Sequence, residues 1–467
     1  MKSKKIKVVE ALLHGITDKG NAIGRTEEGL VVFVQGGVPG DLARIGLSRK
    51  RKGVWNGMVL EILKESSFRT EPVCKHFGVC GGCSWQNLQY SKQLELKEQI
   101  VLDAMRRIAK INSTIIEPIL ACKQEYYYRN KLEFTFSSRR WKLASEISQD
   151  EVSTDNNALG FHRPGTFDKI VDIETCHLQS DLSNQIRNAM KAYAIEHDLS
   201  FYNIREHTGL LRNLIIKTNE KDQVLLVLSL SEYNKEIIDG IFDFLKKNFD
   251  SISSAYYAIN SKLNDSWSDL ICVKAFGEDM LTTSLNHVSF NIGPKSFFQT
   301  NRQQAESLYA LVEEYADLQG NEIVYDLYCG VGSIGIYLAR KAKKIIGIEE
   351  IPEAIADANN NAILNHLSNF TFLSGDVLKL LTDELIESQG IPDVMIVDPP
   401  RVGLHPEVIT QILKFAPKKL VYVSCNPSTA ARDLVLLEQE YNITKVRPVD
   451  MFPMTNHIEM IAQLIRK

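Results

Sequence analysis

No apolar run in the chain approaches the roughly 20 residues that a helix needs to cross a bilayer. The start, Met-Lys-Ser-Lys-Lys-Ile-Lys, is basic but has no apolar stretch behind it. A secretory leader is therefore not expected, no membrane partner is expected, and the expected location is cytoplasmic. Positive charge is also short: 54 Lys and Arg against 58 Asp and Glu give a net −4. That balance argues against a protein that coats nucleic acid with its whole surface. Eight cysteines in 467 residues without a secretion signal do not make a disulfide framework. No segment repeats internally.

What is present is locally concentrated. Four lysines crowd the first seven residues, Arg49-Lys50-Arg51-Lys52 form a tetrabasic run, and Arg106-Arg107 and Arg139-Arg140 add pairs. Such runs are most often solvated faces; the alternative is a patch that contacts phosphates at a defined RNA site. The length exceeds one core, so several domains are expected. Residues 1–64 are β-rich and punctuated by glycine, with strands read at Gly29–Gly37 and Val54–Leu63, which suits a small OB-like barrel. A cysteine-rich linker and a helix from about Ser91 to Ala109 open a middle α+β unit, 65–290. Within it Tyr127–Ser137 and Leu211–Thr218 read as strands, Leu182–His197 reads as a helix, and the polar stretch 147–157 reads as a mobile insertion.

From 291 to 467 the pattern turns regular. Strands are expected at Ile323–Leu327, Lys344–Ile348, Phe370–Leu373, Val394–Val397 and Leu420–Ser424, separated by helical stretches, the mark of βαβ units in a parallel sheet. Two more, about Thr444–Met451 and Ile458–Ile465, are joined too closely for a crossover helix and must pair antiparallel. A doubly wound sheet closed this way is the architecture of class I (Rossmann-like) methyltransferases.

Chemistry collects at the carboxyl edge of such a sheet. Asp326-Leu-Tyr-Cys-Gly330-Val-Gly332-Ser-Ile-Gly335 follows the first strand and opens a helix, and Glu349 closes the second strand, where an acid can hold ribose hydroxyls. This pair fits a dinucleotide or S-adenosylmethionine equally; the late antiparallel strands and Asp398-Pro399-Pro400 favour the latter. Amino-methyltransferases place an aromatic residue after that motif, whereas here Arg401 follows. Cys425, in Ser424-Cys425-Asn426-Pro427, then supplies a thiol at the end of the fifth strand. Its bland reading is an inert buried cysteine. With Asp398 and a later acid it points instead to methylation at carbon: C5 of uracil becomes nucleophilic only after a thiolate adds to C6, and a base must then remove the C5 proton. Glu459 is the base candidate, and its bland reading is an exposed glutamate.

Ser-Cys-Asn-Pro-x-Thr-x-x-Arg-Asp, Asp-Pro-Pro-Arg and Asp-Met-Phe-Pro-x-Thr-x-His-x-Glu together resemble the RNA uracil-5 methyltransferases of the RumA/TrmA type, and the resemblance spans nearly the whole chain. It implies a TRAM domain at the start, Cys425 as nucleophile and Glu459 as base. It also implies Gln299, Tyr328, Ser333, Glu349, Asp376 and Asp398 around S-adenosyl-L-methionine and the uracil. Ser333 and Asp376 stand where the best-known branch has asparagine, and Met454 where it has histidine. Cys74, Cys80, Cys83 and Cys176 match the ligands of the 4Fe–4S cluster of the RumA branch. Spacing alone also leaves zinc open, although three clustered cysteines and a distant fourth suit iron–sulfur ligation better than the two close pairs usual for zinc.

The substrate implied is a uridine of 23S rRNA, flipped out of its RNA fold into the pocket, with Phe297, Phe298 and Phe452 available for stacking. A tRNA enzyme is the alternative, and a non-catalytic RNA-binding factor is the reading from another class. No obligate protein partner is implied, and a monomer is expected.

Overall fold

The computed structural model describes residues 7–467 other than 18, 52, 143–145, 147–155 and 268. Most of the expected insertion at 147–157, the first three lysines and Lys52 lie outside the described residues. Five strands, Lys7–Ile16, Ala22–Arg25, Val31–Gln35, Leu42–Arg51 and Val54–Lys64, close into a barrel. Alternate residues point inward, as the pleat dictates: Val32, Val34, Ala43, Ile45 and Leu47 fill it. Buried Asp41 takes Nε and Nη2 of Arg69 at 2.8 and 2.7 Å, fastening the barrel to the segment that follows.

The middle region is a seven-stranded mixed sheet. Its strands Leu211–Thr218 and Val224–Leu230 are buried along their whole length, because both faces are covered. Helices Asp181–Glu196 and Lys235–Asn248 cover one face, with Ile186, Met190, Ile241 and Leu245 against Leu214 and Leu226. The expected strand Tyr127–Ser137 begins only at Lys131. Tyr127 is left-handed (φ 56°), and the Tyr127 and Arg129 amides donate instead to the His177 and Leu178 carbonyls.

The third sheet comprises β1 (Ile323–Leu327), β2 (Lys344–Glu349), β3 (Phe370–Ser374), β4 (Val394–Val397), β5 (Lys419–Ser424), β6 (Tyr441–Val449) and β7 (Glu459–Arg466). Their order is β3-β2-β1-β4-β5-β7-β6, with β1–β5 parallel and β7 antiparallel to both neighbours. These strands read as continuous apolar runs because both faces are buried. One face holds Val324, Ile345, Ile396 and Val421, the other Tyr325, Ile346, Met395 and Tyr422. Helix α1 (Tyr90–Ala104) packs on the second face, since Val101, Ala104 and the following Met105 share a core with Leu434 and Met460. Nothing in the sequence announces that allegiance, 200 and more residues upstream of the sheet (about the span from Ala104 to Ile323). Among the described residues no helix is long and apolar enough to cross a membrane.

Candidate active site

The turn after β1 builds the first half of the site. Tyr328 (φ 65°), Gly330 (φ 56°) and Gly332 (φ 73°) are left-handed, which reverses the chain tightly before α2 (Ser333–Leu338). At Gly332 a Cβ would sit 2.8 Å from the Phe372 ring, and at Gly335 one would sit 3.0 Å from Asp326 Oδ2. Both glycines therefore let the helix lie close against the strands. Glu349, at the end of β2, accepts the Gly330 and Ile351 N–H groups at 3.1 Å each and braces the turn. A pocket opens here, lined among others by Gln299, Tyr328, Ser333, Asp326 and Asp398. Ser333 Oγ is 2.8 Å from the Tyr309 hydroxyl. Asp376 is not in that lining; its Oδ1 caps the next short helix at Leu378 N, and its charge helps burial push the Tyr328 phenol up to about 12.

The pocket is acidic. Burial pushes Asp326 up to about 7, and the charges of Asp398 and Glu349 add to that. Its Oδ2 accepts the Gly335 N–H at 2.9 Å, while its buried Oδ1 has no partner. Burial pushes Asp398 up to about 6. An unpaired buried acceptor beside raised carboxyls suits a cationic, polyhydroxylated ligand.

Asp398 is also a wall of the second half. Cys425 follows β5, half-buried, and its thiol is raised by burial and by the Glu459 and Asp398 charges. The Arg401 guanidinium opposes that by its charge and a hydrogen bond to the thiol. Glu459, the first residue of β7, is raised well above the usual carboxylate range by burial and by Asp398. Four chemically capable side chains from the ends of β4, β5 and β7 thus converge on one spot. The loop carrying Arg401 is fixed from α3 (Pro427–Leu437), whose N-terminal Asn426 Nδ2 and Thr429 Oγ1 donate to the Arg401 carbonyl at 3.0 and 3.2 Å. Asp433 accepts from Leu404 N and Tyr422 Oη at 2.7 Å each. The Asn-Pro-x-Thr-x-x-Arg-Asp pattern is a scaffold for that loop.

A third locus lies behind the site. Cys74, Cys80, Cys83 and Cys176 line one cavity of about 310 Å³, together with His76, Thr455 and His457. Burial pushes the Cys80 and Cys83 thiols up to about 12 and about 11, and the neighbouring cysteines add to it. Asn184 orders the distant member, accepting Cys176 N at 2.8 Å and donating to its carbonyl at 3.1 Å. Among the described residues no three His, Cys, Asp or Glu side chains are placed to hold a metal ion.

Sequence reasoning missed three contributors. Asp326 was quoted only as the start of a turn motif, although an acid inside a buried strand is itself a signal. Arg401 was noted for not being aromatic, yet it lies against the thiol. Helix α1 was expected as a helix, but its place against the third sheet and the β6–β7 loop was not.

The sheet order, the glycine turn and the acidic pocket define a class I S-adenosylmethionine-dependent methyltransferase. Comparison with known proteins narrows the class. A family model described as tRNA (Uracil-5-)-methyltransferase matches residues 226–467, and a TRAM domain model matches residues 2–57. The chain is 45% identical to an uncharacterized RNA methyltransferase of Bacteroides thetaiotaomicron, covering 96% of this chain and 99% of that one. It is 42% identical to one of Porphyromonas gingivalis, over 97% and 99% respectively. The Pyrococcus abyssi tRNA (uracil-54, C5)-methyltransferase, solved with S-adenosyl-L-homocysteine, superposes with a TM-score of 0.77 at 27% identity, covering 98% of this chain and 100% of that one. The chain belongs to the RNA uracil-5-methyltransferase family.

Proposed function

We propose that the protein methylates C5 of one uridine in 23S rRNA through a covalent adduct between Cys425 and C6 of the base. The observation that carries this reading is the convergence of Cys425, Glu459, Asp398 and Arg401 at one sheet edge, against the acidic pocket. The Cys425 thiolate adds to C6, and the electron pair moves through C5 to the C4 oxygen as an enolate. C5 then takes the methyl group from the sulfonium, leaving neutral S-adenosylhomocysteine. Glu459 removes the C5 proton, the C5=C6 double bond re-forms, and the thiolate leaves. Arg401 favours the thiolate, while Asp398, Gln299, Tyr328, Ser333 and Glu349 hold the donor and the base. In the division of labour that follows, residues 1–64 grip RNA, 65–290 present it, and 291–467 do the chemistry.

We infer that Cys74, Cys80, Cys83 and Cys176, which line one cavity, are the ligands of an iron–sulfur cluster. Three clustered cysteines and a distant fourth suit such a cluster better than the two close pairs usual for zinc. The resemblance implies 4Fe–4S; when bound it would tie the linker to the middle sheet. No step of the methylation passes through it.

A tRNA target is the second reading, favoured by the whole-chain likeness to the Pyrococcus abyssi tRNA enzyme. One experiment tests mechanism and target together. RNA containing 5-fluorouridine is incubated with the protein and S-adenosylmethionine, because fluorine at C5 blocks the last proton removal. A denaturation-resistant protein–RNA adduct is expected, absent in Cys425→Ala. An adduct that survives that substitution refutes the mechanism, and preferential trapping of tRNA over 23S fragments reverses the target.

A further inference from the structure

The loop between β6 and β7 carries Met454, and this residue is held in an unusual way. Its backbone is left-handed, φ 63°. A non-glycine residue keeps that conformation only where its surroundings over-determine it. Its N–H donates to Oε1 of Gln93 at 3.0 Å. Its carbonyl accepts two amides of the cysteine segment, Ser84 N at 3.0 Å and Trp85 N at 3.1 Å. Gln93, fully buried in α1, closes the circuit, because its amide nitrogen donates to the Trp85 and Leu88 carbonyls at 3.0 and 2.8 Å. One residue is thus gripped through both of its peptide groups, and a single glutamine ties it to helix and cysteine segment together.

What the grip holds lies five residues on. Thr455 Oγ1 donates to the Phe452 carbonyl at 2.8 Å and accepts His457 N at 3.2 Å, so slack cannot be absorbed within the turn. His457 Nδ1 then meets Arg401 Nη2 at 3.3 Å, and Glu459 enters β7 opposite Val449. Cys425 hangs on β5, and the donor pocket is lined from the ends of β1 and β4 and by Phe297, Phe298 and Gln299, which meet this loop only at its start, where Asn301 Nδ2 donates to the Met451 carbonyl at 2.9 Å. The functional group that the chain carries directly out of this loop is the Glu459 carboxyl; Arg401 is met only through the His457 ring, and its own loop is fixed independently by Asn426 and Thr429.

We infer that Gln93 is a positioning residue for the Glu459 carboxyl, acting through the Met454 peptide; this rests on the reading of Glu459 as the base. Glutamine suits the task because one side chain must accept from Met454 and donate to Trp85 and Leu88. Loosening the loop slows proton removal from C5 and leaves thiol addition and methyl transfer intact. The methylated Cys425–RNA adduct therefore accumulates on ordinary uridine.

The test uses full-length Gln93→Met and Met454→Gly, with Glu459→Gln in parallel, on RNA with ordinary uridine. The readouts are turnover, RNA held covalently on a denaturing gel, and methyl content of the adduct. Turnover is expected to fall by up to about 100-fold, the scale of a small misplacement of a reacting group, while methylated adduct builds up and 5-fluorouridine trapping keeps its native rate. If Gln93→Met does not fold, Met454→Gly decides, since glycine adopts positive φ without strain. Adduct in Glu459→Gln but native turnover in the two loop variants, or loss of trapping in step with turnover, overturns the inference. No adduct in Glu459→Gln refutes instead the reading of Glu459 as base.

Discussion

At the scale of single residues, the site gathers acids and sets one arginine against them. Asp326 at about 7 and Asp398 at about 6 are both raised by burial, so each is partly protonated near neutrality. A sulfonium cation entering that pocket favours the ionised forms and releases protons. The sign follows directly. Below pH 6 the carboxyls are neutral and offer the cation little; through pH 6–7 they ionise and its affinity rises. The neutral product, S-adenosylhomocysteine, gains nothing from the same ionisation. Calorimetric titrations from pH 5.5 to 8 should show donor affinity climbing by about 10-fold, the equivalent of one pH unit of linkage, while product affinity stays nearly flat. Parallel curves for the two ligands would place the acids elsewhere than at the sulfonium.

At the scale of elements, α1 and the β6–β7 loop form one unit. Lys97 Nζ and Asp450 Oδ1 pair at 2.6 Å, both fully buried, and Lys97 also donates to the Phe452 carbonyl at 3.0 Å. Asp450 further accepts from Tyr90 Oη at 2.9 Å and Phe452 N at 3.1 Å. Removing one partner strands a buried charge. Lys97→Met is expected to lose about 3–5 kcal/mol of stability by denaturant unfolding, and adding Asp450→Asn should recover much of that, because the neutral amide oxygen still accepts from Phe452. Strictly additive losses would show that the two side chains do not interact.

The same element marks how far the sequence could be read. The parallel strands, the glycine turn and the strand-end positions of Glu349, Asp398, Cys425 and Glu459 were legible because periodicity and motif spacing are local. The partnership of Gln93 and Lys97 with Met454 and Asp450 was not, since contacts across some 350 residues (|i−j| of 353 and 361) leave no local pattern. The strand start at Lys131 was misread for a related reason: Tyr127–Asn130 has β-prone side chains, but its amides are claimed by His177, Leu178 and Thr300.

At the scale of the whole molecule, a barrel, a mixed sheet and a doubly wound sheet meet around the cysteine segment. That segment meets Cys176 of the middle region across one cavity, the β6–β7 loop at Met454 and the barrel through the Trp85 Nε1 bond to the Gly20 carbonyl at 3.4 Å. If the proposed cluster sits there, anaerobic purification gives a brown protein holding iron and acid-labile sulfide, and Cys176→Ser loses both and melts earlier. A colourless protein containing one zinc would overturn the cluster.

The strand order carries a last consequence. β7 is made after β6 yet lies between β5 and β6, so a growing chain exposes the thiol strand before the glutamate strand exists. On the proposed chemistry, a polypeptide cut short after β6 could fasten itself to RNA and would have no means of letting go. On that proposal the glutamate is the release catch as much as it is a catalyst. By lying deep in the sheet rather than on its rim, β7 makes completion of the fold and completion of the catch one event.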